Sequence, residues 1–208
     1  YYSDIDVQGD ANIVAKSNKQ DGVQVIGVAN MTSGAATTDF YGNVDVKAEG
    51  KVLTIGVYGA DKGADISFHG DNVTIESTRL ESEGWAYGIM TQNEGILDAS
   101  ANTTVTATAT SNYSSAALIA LNKGSINLLG NVTATAISTN AYSVYAGSGS
   151  SIILGSEGKN VTLNGDVYVA DDASLTLNGT VNLNGILESN RLKCLVPSQN
   201  SFLCRFTP

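Results

Sequence analysis

Few side chains in this chain can do acid–base or nucleophilic work, and their spacing limits what they could do. The single histidine, His69, lies in Phe68-His69-Gly70, and the one adjacent acidic pair, Asp171-Asp172, follows roughly a hundred residues later. Glycoside hydrolysis needs two carboxylates aimed at one bond. Here the expected roles are a turn for Asp171-Asp172 and a surface loop for His69. Arg79 lies in "STRLESEGW", close to Glu76, Glu81 and Glu83. Clustered acids of this kind can hold Ca²⁺ beside an arginine base, but the stretch reads first as a solvated charged loop. No Gly-X-Ser-X-Gly elbow frames a serine nucleophile. "AGSGSS" at residues 146–151 lacks the lysine and following helix of a phosphate loop. Cys194 and Cys204 have no histidine near them and do not make a zinc site. The expectation is no catalytic residue, no metal and no cofactor.

Aromatic spacing offers a different chemistry. Tyr58 and Tyr87 differ by 29 positions, as do Tyr113 and Tyr142. Trp85, Tyr87, Tyr113, Tyr142 and Tyr145 are therefore candidates for a column on one side of the fold. Facing inward, such rings are core stacking, the commoner role. Facing outward, they could stack against sugar rings or dock a partner protein.

A column presupposes a repeat, and the chain has one. Asn43-Val-Asp-Val, Asn72-Val-Thr-Ile, Asn102-Thr-Thr-Val, Asn131-Val-Thr-Ala and Asn160-Val-Thr-Leu recur at steps of 29, 30, 29 and 29. Asn12-Ile-Val-Ala is expected one step earlier, and Thr180-Val-Asn-Leu one shorter step later. Each period holds three short alternating apolar runs separated by Gly, Asn or Asp, which is strand patterning with almost no helical period. Three strands per coil of about 29 residues imply an all-β, right-handed parallel β-helix (a β-solenoid) whose equivalent strands stack in parallel. Ala107, Ala109, Ala134 and Ala136 suit a narrow interior. An antiparallel sandwich explains short strands but not the period. Asn72-Val73-Thr74, Asn131-Val132-Thr133 and Asn160-Val161-Thr162 match the glycosylation sequon. At their period they mark a corner, where Asn accepts turn geometry and bonds its copies above and below.

The net charge of −9 and only 11 Lys and Arg residues make nucleic acid and an anionic membrane poor partners. Charged residues are 15% of the chain, against about 25% in average proteins. The chain begins Tyr1-Tyr2-Ser3, which reads as a piece of a longer precursor, and no apolar run is long enough to span a bilayer.

The stretch from Asn131 to Gly185, "NVTATAISTNAYSVYAGSGSSIILGSEGKNVTLNGDVYVADDASLTLNGTVNLNG", resembles the passenger domains of bacterial autotransporters. Those are type V secreted proteins with pectin-lyase-like or pertactin-like β-helices. The likeness extends over about residues 5 to 187. It implies a monomeric passenger on the bacterial cell surface, at the outer membrane or outside the cell. Membrane attachment would come only through a C-terminal barrel that this sequence does not include. The implied role is an adhesin-like or surface-display β-helix without catalysis, with a host glycan or extracellular-matrix protein as partner. The alternatives are a polysaccharide lyase or glycoside hydrolase of the pectin-lyase superfamily, and a structural spacer. A polygalacturonase-like site would add a Gly-His-Gly and an Arg-X-Lys. His69 precedes the acidic pair in the wrong order for it, and Arg191-Leu-Lys193 lies beyond the repeats. Residues 1–187 are thus expected to form the repeats. Residues 188–208 abandon the pattern and gather Cys, Pro and Arg. They read as a poorly ordered foreign tail, or as a cap closed by Cys194–Cys204.

Overall fold

The structure, a computed structural model, describes residues 4–19, 24–80, 84–110 and 114–189. Tyr113, Cys194, Cys204, Glu81 and Glu83 lie outside the described residues, as does the tail from residue 190. The described residues form strands and no helix. The strands assemble into three seven-stranded sheets, each built from every third strand of the chain. Every pairing between rungs is parallel: for example Val44–Gly50 on Asn72–Arg79, and Asn72–Arg79 on Asn102–Ala109. This is a β-solenoid of three strands per coil. Leu187–Ser189 is the last rung of the third sheet and pairs with Asp166–Val169, carrying the pattern to the end of the described chain.

Alternation explains why these segments form strands. In Asn72–Arg79, Val73, Ile75, Ser77 and Arg79 are buried, while Thr74, Glu76 and Thr78 face outward. Because the stacking is in register, inward residues form columns. One runs Val46–Ile75–Val105–Ala134–Leu163–Leu183 through the second sheet. Another runs Thr38–Ile66–Leu97–Ile126–Ile152–Leu175 through the first. Phe40 stacks on Phe68 with ring centroids 5.2 Å apart. Near the corner with the third sheet the columns shrink to Ala48–Ser77–Ala107–Ala136, as a narrow interior requires.

The asparagine corner is a ladder of side-chain bonds. The Asn72 and Asn160 backbone N–H groups donate to Asn43 Oδ1 at 3.0 Å and to Asn131 Oδ1 at 2.9 Å. Asn131 Nδ2 donates to Asn102 Oδ1 at 2.9 Å. One expectation is corrected here. Asn12 is not a rung of the ladder: it pairs with Asp45, and Asp10 takes the ladder position, accepting from the Asn43 N–H at 2.7 Å. Both registers bury the same alternate residues. Hydrophobic pattern alone could not separate them, and the corner hydrogen bond did.

The third sheet has an extra residue in mid-strand. Ile26 pairs with Ile55 and Val28 with Val57, with Gly27 and Gly56 left between them. The column continues through Gly88, Ala117 and Ser143. This stacked bulge slips the in–out alternation by one residue. Its glycines are sterically required. A Cβ on Gly56 would lie 2.3 Å from Ile75 Cγ2, and one on Gly88 would lie 2.2 Å from Val105 Cγ1 and 2.6 Å from the Ala117 carbonyl oxygen. One coil further on, the second-sheet column narrows to Ala134 and the bulge accepts a methyl group at Ala117. Gly88→Ala should therefore lower the unfolding free energy by about 1–3 kcal/mol, measured by urea denaturation. Val105→Ala in the same chain should recover part of the loss. An unchanged midpoint for Gly88→Ala would contradict the bulge.

Candidate functional site

The three outer faces differ in chemistry. The first sheet presents the column Asp6–Asp39–Ser67–Asp98–Asn127, with Asp65 beside it. The second presents ion pairs and threonines: Lys47 Nζ meets Glu76 Oε2 at 3.1 Å, and Thr74, Thr104, Thr133 and Thr162 lie in register. The third is apolar and aromatic. Four consecutive strands, Leu53–Ala60, Trp85–Gln92, Ser114–Leu121 and Asn140–Ala146, contain no charged residue.

Two outward columns build this face. One is Ile55–Tyr87–Ala116–Tyr142. The other is Tyr58–Met90–Ile119–Tyr145–Tyr168. Tyr145 and Tyr168 stack at 4.7 Å with 25° between their planes, and Tyr142 meets Tyr145 edge-on at 5.4 Å. The small residues of the central rung, Ala116 and Ile119, are buried beneath their larger neighbours at 3% and 6% exposure. Gln92 Nε2 donates to the Tyr58 hydroxyl. Burial raises the pKa of the Tyr58, Tyr87 and Tyr145 phenols, with Asp61 adding to it at Tyr58, Tyr145 at Tyr87, and Tyr168 and Tyr142 at Tyr145. These hydroxyls stay protonated at neutral pH, as donors in one connected patch. From the rung of Tyr58 to that of Tyr168 is four steps, about 19 Å.

Tyr87, Tyr142 and Tyr145 lie on this outward face rather than in the core-stacking role that is the commoner one for such rings, and Trp85 lies at the border of the face, paired with Leu53 and 49% exposed. The spacing argument needs correction. Tyr58 and Tyr87 do not stack: Tyr87 pairs with Ile55 and Tyr58 with Met90. The step from Leu53 to Trp85 is 32 residues rather than 29, because the chain between these strands is longer in this coil. Tyr58 and Tyr168 were missed as members. For Tyr58 the signal was the bulge, which turns residues i and i+3 outward together, as in Tyr142/Tyr145, Tyr87/Met90 and Ile55/Tyr58; Tyr168 lies on a strand without the added residue, where plain alternation turns Asp166 and Tyr168 outward.

The acid–base candidates are not brought together. His69 Nε2 lies 2.8 Å from Asp39 Oδ1, and the ring stacks on Tyr41 at 4.9 Å. It follows Ala64–Phe68, at the corner between first and second sheets. Asp171-Asp172 occupies a turn at the corner between third and first sheets, between three and four rungs, about 14–19 Å, further along the axis. Asp172 accepts from Ser148 Oγ at 2.7 Å, which holds its carboxyl below the ordinary value. Among the described residues no three His, Cys, Asp or Glu side chains gather as a metal site. Arg79 departs from expectation most. It ends a strand, is fully buried, and donates from Nε to the Lys51 carbonyl at 3.0 Å and from Nη1 to the Gly84 carbonyl at 3.1 Å. Its charged sequence neighbours imply a solvated position, which the strand does not give it. The in–out alternation starting at Val73 points it inward.

Arg79→Ala should cost about 3–5 kcal/mol in unfolding free energy, because two carbonyls lose their donor and a large side-chain volume empties. Arg79→Lys should rescue little, since one ammonium cannot span both acceptors. Unaltered stability of Arg79→Ala would contradict the structural role. Asp65 gives a pH test. Its pKa is raised from the ordinary 3.8, first by burial, then by Asp98 and Asp39. The folded state therefore favours the protonated form, and this contribution is lost as pH rises from the ordinary value through the raised one. Asp65→Asn should be more stable than wild type at pH 7, and the difference should shrink as pH falls below about 4.

Comparison of the chain with protein-family models, with curated proteins and with solved structures finds no match, and the class that can be stated for it is its architecture, a parallel three-sheet β-solenoid.

Proposed function

We propose that this chain is the β-helical passenger portion of a bacterial autotransporter-type surface protein, and that it presents a binding face rather than a catalytic centre. The observation that carries the reading is the contrast between faces. The candidates for chemistry lie apart, His69 at one corner, Asp171-Asp172 at another and Arg79 in the interior. Phenols, by contrast, converge on one side, where five of the six described tyrosines lie (Tyr58, Tyr87, Tyr142, Tyr145 and Tyr168, but not Tyr41). Exposed contiguous apolar patches on soluble proteins mark interaction sites, and tyrosine pairs an apolar ring with a polar tip suited to wet contacts. The sequence style from Asn131 to Gly185 supports the surface location. A stiff stack of coils holds such a face clear of the cell, which is the geometric role of extended solenoid surfaces.

The test is adhesion. Beads coated with the chain should bind extracellular-matrix proteins, glycans or cells above an albumin-coated control. Trp85→Ala with Tyr142→Ala should reduce binding severalfold while the melting temperature stays within a few degrees. Absence of binding to every surface would leave a spacer. Release of unsaturated or reducing ends from polyuronates would make the chain a lyase or hydrolase.

A further inference from the structure

The geometry of the tyrosine face points to a neutral, extended oligosaccharide as its ligand, lying along the solenoid axis with about one sugar ring per rung. We infer this on the strength of the binding-face reading above. Charge comes first. The chain carries −9 overall and acids line the first sheet, yet the four central strands of this face contain no acidic or basic residue. A polyanionic glycan would find no cation there and would approach an acidic molecule. A neutral chain meets no repulsion, and the one carboxylate on the fifth rung, Asp166 next to Tyr142, already accepts from the Ile186 N–H at 2.9 Å.

Size comes second. Four rung steps by the three residues separating the two columns span about 19 by 10 Å. That is about 200 Å², against about 800 Å² per partner in a stable protein interface. A second copy of this chain or a folded protein would gain too little area here, whereas a single linear chain would cover it.

Period comes third. An extended pyranose unit is about as long as the spacing between rungs, about 4.8 Å. Tyr87 and Tyr142 stand two rungs apart in one column with Ala116 between them. Alternate sugars therefore meet a phenol ring and the intervening one meets the low point. Tyr145 and Tyr168 line the neighbouring track. Ring faces offer the flat apolar contact that sugar C–H groups need. The protonated phenols and Gln92, which already holds Tyr58, supply polar partners for equatorial hydroxyls.

The experiment titrates the full chain with linear β-1,4-linked glucose and N-acetylglucosamine oligomers of two to six units, and with hexagalacturonate. Binding is read by calorimetry and by fluorescence of Trp85, the single tryptophan. A neutral series should bind, tightening with length and levelling at about four or five sugars, the number of rungs covered. Tyr87→Ala and Tyr142→Ala should each weaken binding about tenfold. Tyr142→Phe, which keeps the ring and secures the test if the alanine variant unfolds, should lose much less. Thr133→Ala on the second sheet should change nothing. The inference is overturned if no neutral oligomer binds, if hexagalacturonate binds as tightly, or if the tyrosine variants bind like wild type. Two further outcomes separate it from the broader reading. Matrix-protein adhesion through the same tyrosines without glycan binding would overturn the glycan and keep the adhesive face. Shortening of the bound oligomers would keep the site and overturn its non-catalytic character.

Discussion

The structure depends on one constraint: parallel strands stacked in register place each residue directly over its counterpart in the next coil. At a spacing of about 4.8 Å, like side chains meet like. For asparagine this is favourable, because the amide both accepts and donates and so bonds its copies in series. For phenylalanine it gives the stacked pair Phe40 and Phe68. For carboxylates it is unfavourable, and past the Asp6–Asp39 step the chain interleaves them with neutral residues. Ser67 and Asn127 alternate with Asp39 and Asp98 along the first sheet, and Asn127 Nδ2 donates to Asp98 Oδ1 at 2.6 Å. On the second sheet opposite charges are stacked instead, Lys16 on Glu49 and Lys47 on Glu76, each pair at 3.1 Å.

The same constraint couples the interior to the outer surface. A third-sheet strand must step inward toward the second sheet, and it does so with an added residue whose side chain has almost no room. Glycine fills that place while the opposing column carries Val46, Ile75 and Val105, and alanine fills it once the column reaches Ala134. The bulge then sets which residues look out. It turns positions i and i+3 to one side, so each rung from Gln24–Met31 to Asn140–Ala146 presents two outward side chains about 10 Å apart along the strand, while Asp166–Val169 lacks the added residue and presents Asp166 and Tyr168. The tyrosine platform is thus a consequence of core packing. Its two tracks exist because the interior beneath them is too narrow for a regular strand.

Under the proposed reading this arrangement serves recognition rather than turnover. Catalysis needs acid and base each within about 3 Å of the group they protonate or deprotonate, on one substrate. Among the described residues, the sequence's acid–base candidates lie at different places along the axis. His69 ties up with Asp39 at one corner, Asp172 with Ser148 at another, and Arg79 is spent inside on backbone carbonyls. A repeating flat face, by contrast, presents equivalent contacts at even intervals, which matches a ligand that is itself a linear repeat.

The architecture is legible in the chain alone. The asparagine steps, the three apolar runs per period and the scarcity of helical patterning follow from local strand chemistry repeated at a fixed interval, and they are readable without coordinates. The chain also names three of the tyrosines on the shared face, and it places His69 and the acidic pair in exposed turns. Only the tertiary structure decided registers and directions. Asp10 rather than Asn12 completes the asparagine corner, because both registers bury the same alternate residues and only a hydrogen bond distinguishes them. Tyr58 stands over Met90 rather than Tyr87, because a longer coil shifts the third sheet by three residues without disturbing the second. Arg79 points inward because alternation along its strand outranks the charge of its neighbours. A period read along the chain gives the average coil, whereas side-chain neighbours depend on where each coil takes up its extra length, which the packing of the three sheets fixes.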